Sequence, residues 1–347
     1  MSLSSLAREV LPPDHLMQHE HCSCLRLAHA PSSRHARWLH FPYGCLMPAG
    51  RSFNMSEVRE GYIPFKGYKT YYRIVGHNEK GHLPLLVLNG GPGMSHDYMT
   101  TLDALADCGR EVIYYDQIGC GRSAVPEGTF HYNAQLFVDE LVVVRKALGL
   151  EHFHLLGQSW GTILMLLYLL QEKPEGIASI VVSSGLPSTK LWVKEVGKLK
   201  SFMPKEMQEA LDEADRTGNY DTPEAKAAAD EFYRRHVCSL PEYPDFVMKS
   251  FAEPGPAYVE MQGVSEFVFT GNLLSYDVED QLKDVKQPAL VISGEFDECT
   301  PLVAKTFYDK LANAEGWLLI ENGTHLCNVE FPEIYNKAVE EFIERHE

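Results

Sequence analysis

The chain has 347 residues, 45% of them apolar, and a formal net charge of −17. So acidic a surface excludes nucleic acid as a partner, because phosphates demand a basic face. No run of about 18 apolar residues occurs, which excludes a membrane-spanning helix; the longest candidate, Ile163 to Leu170, reads as a buried helix.

Residues 1–54 differ from the rest. They hold six of the 15 histidines and three of the eight cysteines, and carry +2 where the remainder carries −19. They show no sustained apolar periodicity and no signal-peptide core. His19-Glu20-His21-Cys22-Ser23-Cys24 is dense in metal-ligand types but lacks a second pair at zinc spacing, so the segment is expected to be a poorly ordered extension. The eight cysteines are scattered, as free thiols in a reducing, cytoplasmic compartment would be.

From Tyr62 onward the pattern is regular. Tyr68 to Val75 reads as an edge strand. Leu83 to Leu88, Glu111 to Asp116, Phe153 to Gly157, Ile177 to Ser183, Ala289 to Ser293 and Trp317 to Ile320 read as strands buried on both faces. Helical patterns separate them: Asn133 to Leu148 with Asn133 as cap, Ser159 to Gln171, Pro301 to Leu311 and Pro332 to His346. The alternation predicts an α/β fold with a mostly parallel sheet covered by helices on both faces. It breaks from about 186 to 281, where charged helices such as Glu206 to Arg216 and Pro223 to His236 predict an inserted helical cap. The sheet domain is then 55–185 and 282–347.

Gly157-Gln158-Ser159-Trp160-Gly161 matches G-x-S-x-G between a strand and a helix, the setting of a nucleophile elbow. A serine hydroxyl needs a base to become a nucleophile. His325 follows the last strand and Asp297 follows the strand before it, so both lie at carboxyl ends of strands, where open α/β sheets place their sites. His325 is assigned as general base and Asp297 as the acid that orients it; Glu295 and Glu298 are neighbouring acids. The three glycines and proline of Gly90-Gly91-Pro92-Gly93 then make sense as a backbone that faces substrate. Gly91 N–H and Trp160 N–H are expected to form the oxyanion hole.

With Asn89-Gly90-Gly91-Pro92-Gly93-Met94-Ser95-His96-Asp97-Tyr98-Met99, the turn Asp116 to Ser123, the elbow, the 265–271 stretch Ser-Glu-Phe-Val-Phe-Thr-Gly, the 294–301 stretch Gly-Glu-Phe-Asp-Glu-Cys-Thr-Pro and Gly323-Thr324-His325-Leu326, the chain resembles the proline iminopeptidase family of α/β-hydrolases. It is most similar to the branch of tricorn-interacting aminopeptidases and amino-acid amidases. The resemblance runs from about Met55 to the C-terminus. It implies removal of an N-terminal residue, often proline, from peptides or small amides, without metal or cofactor. It also implies that Glu266 and Glu298 hold the substrate ammonium. Two positions depart from the family: Asn89 replaces the usual histidine, and Thr162 a usual glycine. Thr162 is expected to tighten packing on the sheet, and Asp116 with Arg122 to brace the oxyanion loop. An esterase or acyl-transfer enzyme, and a non-catalytic receptor, are the alternative readings.

Overall fold

The computed structural model describes residues 26–29, 37–39, 57–79, 81–252 and 255–347. Short runs of branched and aromatic apolar residues become the strands of one sheet. They are β1 (Arg26–His29), β2 (Arg37–Leu39), β3 (Val58–Phe65), β4 (Tyr68–Val75), β5 (Leu85–Leu88), β6 (Val112–Tyr115), β7 (Phe153–Gln158), β8 (Ile177–Ser183), β9 (Ala289–Gly294) and β10 (Ala314–Ile320). Their order is β2-β1-β10-β9-β8-β7-β5-β6-β4-β3. The six strands from β10 to β6 run parallel, and β4, β3, β1 and β2 add antiparallel at the two ends.

One reading is corrected. Tyr68–Val75 is not the edge: β3 lies outside it, paired over its whole length. The sequence Val58-Arg59-Glu60-Gly61-Tyr62-Ile63-Pro64-Phe65 exposes most of its side chains, so no apolar run announces it. Within residues 1–54, of the two described pieces β1 pairs antiparallel with β10 and β2 pairs antiparallel with β1. The histidine- and cysteine-rich stretch 19–24 lies outside the described residues.

Helices α1 (Ala134–Ala147) and α2 (Trp160–Glu172) cover the parallel strands; Asn133 Oδ1 accepts from Leu136 N at 3.1 Å to cap α1. Between β8 and β9 the chain leaves the sheet for α3 (Thr189–Ser201), α4 (Lys205–Thr217), α5 (Pro223–His236), α6 (Asp245–Phe251) and α7 (Pro256–Met261). Helices α8 (Pro301–Lys310), α9 (Cys327–Glu330) and α10 (Pro332–Ile343) complete it. The inserted helices share one core with the sheet: Trp192 and Phe232 pack in the same cluster as Trp160 and Ile163. None of the described helices is long and apolar enough to cross a membrane.

Candidate active site

The elbow forms because its flanks carry no side chain. A Cβ on Gly161 would lie 2.0 Å from Leu88 O, and one on Gly157 would lie 2.5 Å from Gly161 O. Strand β7 can therefore turn at once into α2, and Ser159 is left at φ 55° and ψ −123°. That backbone conformation is costly for a residue with a Cβ, on the order of 1–3 kcal/mol. Thr162 fills the space opposite Gly185 and donates from Oγ1 to Gly157 O at 2.8 Å, the tightening its size suggested.

His325 and Asp297 meet as the sequence placed them. Their loops follow β10 and β9, and His325 Nδ1 lies 2.8 Å from Asp297 Oδ1, with both residues buried. Asp297 Oδ1 also accepts from Cys299 N at 2.7 Å, which fixes the carboxylate. Gln158 Nε2 donates to His325 O at 3.3 Å and ties the elbow to the histidine loop. Ser159 and His325 line one cavity of about 250 Å³.

Gly91, Trp160, Glu266 and Glu298 line the same cavity. Gly91 has φ +118°, a region that side chains rarely adopt, and a Cβ there would sit 2.7 Å from Gly93 N. The neighbouring Gly90 N–H is already used, donating to Tyr98 Oη at 2.5 Å. Trp160 opens α2, where N–H groups lack intrahelical acceptors; its indole is anchored by Nε1 donating to Gln117 Oε1 at 2.8 Å. Asn89 keeps the glycine loop in shape, donating from Nδ2 to Met94 O at 2.7 Å. Behind that loop, Asp116 accepts from His96 N at 3.0 Å and pairs with Arg122 at 3.3 Å, as the brace reading expected.

Sequence reasoning missed the partners of Glu266. Tyr258 donates to Glu266 Oε1, and Gln262 Nε2 donates to Oε2 at 2.6 Å. The only signal was i, i+4 spacing between Tyr258, Gln262 and Glu266, which marks one face of a helix but no chemistry. Burial pushes the Glu266 carboxyl above its usual range, against those two hydrogen bonds and the charge of His325. Burial raises Glu298 further; its Oε2 has no hydrogen-bond partner. Burial pulls His325 down, but the charges of Asp297, Glu298 and Glu266 outweigh it and carry the imidazole up to about 9.

Among the described residues, two clusters contain metal-ligand types. Asp297, Cys299 and His325 lie within 4.8 Å of one another, but Cys299 Sγ donates to Ser184 O and burial keeps it a thiol, a poor metal ligand. His96, Asp97 and Asp116 form the other, and its two carboxylates already hold Arg122 and Lys249.

The arrangement is that of a nucleophile elbow facing a histidine–aspartate pair, in a cavity lined by two glutamates. The α/β hydrolase fold family model matches residues 84–332. The proline iminopeptidase of Clostridium botulinum is 42% identical over 293 residues, 84% of this chain and 100% of that one. A crystal structure of proline iminopeptidase from Mycobacterium smegmatis superposes with a TM-score of 0.76 at 37% identity, over 83% of this chain and 98% of that one. The crystal structure of VinJ gives 0.79 at 34% identity, over 83% and 99%. On this fold and these relatives, the chain is an enzyme of the proline iminopeptidase family of α/β-hydrolases.

Proposed function

We propose that the protein is a serine aminopeptidase that releases proline or another small apolar residue from the N-terminus of peptides or amino-acid amides. Ser159 Oγ attacks the carbonyl of the first residue while His325 Nε2 takes its proton. Gly91 N–H and Trp160 N–H receive the oxyanion of the tetrahedral intermediate. His325 returns the proton to the departing amine, and water then releases the acyl group by the same steps in reverse order of partners. Asp297 holds the ring from Nδ1 throughout. Residues 186–281 serve as a cap that closes the cavity, and 55–185 with 282–347 as the catalytic domain. The five free cysteines among the described residues suit the cytoplasm.

The observation that carries this reading is the pair Glu266, half-buried, and Glu298, buried, in the cavity that Ser159 and His325 line. Buried carboxylates need a counter-charge, and an N-terminal ammonium supplies it by charge-assisted hydrogen bonds. The test compares proline and alanine arylamides with their N-acetylated forms. Losing a charged hydrogen bond costs about 2–3 kcal/mol, so kcat/KM is expected to fall about 30- to 160-fold on acetylation. Ser159→Ala is expected to abolish turnover with the fold retained by circular dichroism. Undiminished cleavage by that variant refutes the nucleophile.

A further inference from the structure

The His325 ring lies between two carboxyl groups. Asp297 Oδ1 holds Nδ1 at 2.8 Å, and Glu298 Oε1 stands 3.6 Å from Nε2, the nitrogen a general base must keep bare. No hydrogen bond joins Ser159 to His325 among the described residues; the carboxyl group that Nε2 meets is that of Glu298. All three side chains are buried, and Glu266 adds negative charge from the far wall. Such surroundings favour the protonated ring. With the imidazole held up to about 9, the ring is mostly protonated at pH 7. The residues that bind an amine therefore also disable the base.

We propose that the substrate's own ammonium switches the base on: entering between Glu266 and Glu298, it takes over Glu298, and the proton held between Nε2 and Glu298 leaves to water. The proposal rests on the reading of these glutamates as the amine site. One positive charge enters and one proton departs, so the charge of the site is unchanged and Nε2 is freed for Ser159. By linkage, protonation and ammonium binding oppose each other by the same factor. An N-acylated substrate then fails twice, in contact and in activation.

Among the described residues, no cation takes the ammonium's place. Around the ring stand the edge of Trp192, the thiols Cys299 and Cys327, which burial keeps neutral, and Tyr233 and Tyr258. His236 turns its Nδ1 to Phe296 O, and burial pulls that imidazole down, toward the neutral form. Glu330, which holds Thr324 N at 2.7 Å, adds only negative charge.

Pyrrolidinium chloride titrated into the full chain at pH 7.5 by calorimetry, in two buffers of different ionisation enthalpy, reads binding and proton release together. The expected result is release of close to one proton per chain. Glu298→Gln, nearly isosteric, is expected to release almost none. Hydrolysis of p-nitrophenyl acetate, which has no amine, is expected to rise with a midpoint near 9 in the wild type. In Glu298→Gln that midpoint is expected to fall by about one unit, so that the rate at pH 7 rises about tenfold. Binding without proton release overturns this proposal alone. Absence of any binding overturns both it and the amine-site reading, whereas ester hydrolysis surviving Ser159→Ala would strike only the nucleophile.

Discussion

Tyr258 and Gln262 saturate the two oxygens of Glu266, while Glu298 keeps one oxygen bare. The first carboxylate is thus fixed in place and the second is available to a ligand. Gln262→Ala removes one donor from a half-buried anion, a loss of about 1–2 kcal/mol. The expected outcome is a KM for alanine arylamide raised about 5- to 30-fold, with hydrolysis of p-nitrophenyl acetate little changed. Steady-state kinetics on the two substrates check it. A purely structural role would lower both rates together. Ser159, Asp297 and His325 were legible in sequence because each follows a short apolar strand, and strand ends have fixed places in this fold. Gln262 was not, because its partner Glu266 lies four residues on, past the end of α7, in an irregular stretch where neither residue type is unusual.

The turn from β7 into α2 depends on contact between backbones. Gly161→Ala would set a Cβ against Leu88 O at 2.0 Å, and backbone cannot swing aside as a side chain can. Overpacking of this kind costs about 1–3 kcal/mol, so the urea midpoint is expected to drop. Gly197→Ala is the contrast: nothing lies within 4 Å of its Cβ inside α3, and the change should stabilise by about 0.5–1 kcal/mol. The same comparison by urea unfolding checks both. Buried parallel strands were readable as apolar runs, since both faces need such residues. Strand β3 escaped because it is an exposed member of the sheet.

Across the whole molecule, Glu140 joins three elements: from α1 its carboxyl meets Thr70 on β4 and accepts from Ile118 N at 2.9 Å beyond β6. Burial pushes it up to about 8, against those hydrogen bonds. Its folded pKa lies above its ordinary 4.5, so the unfolded chain gives up this proton first and the fold weakens as pH rises through that window. Glu140→Gln removes this dependence. Relative to wild type, the variant is expected to gain roughly 3 kcal/mol in urea stability between pH 5 and pH 8. A larger tie runs through the end of α5. The carbonyl of His236 accepts from Glu298 N and His325 N, both at 3.1 Å, and that of Val237 from Leu326 N at 2.9 Å. The acid loop and the imidazole loop thus hang from one peptide of the insertion. A hinge that carried α5 outward would dismantle the triad it shelters. This wall cannot swing away from the two loops without breaking those bonds.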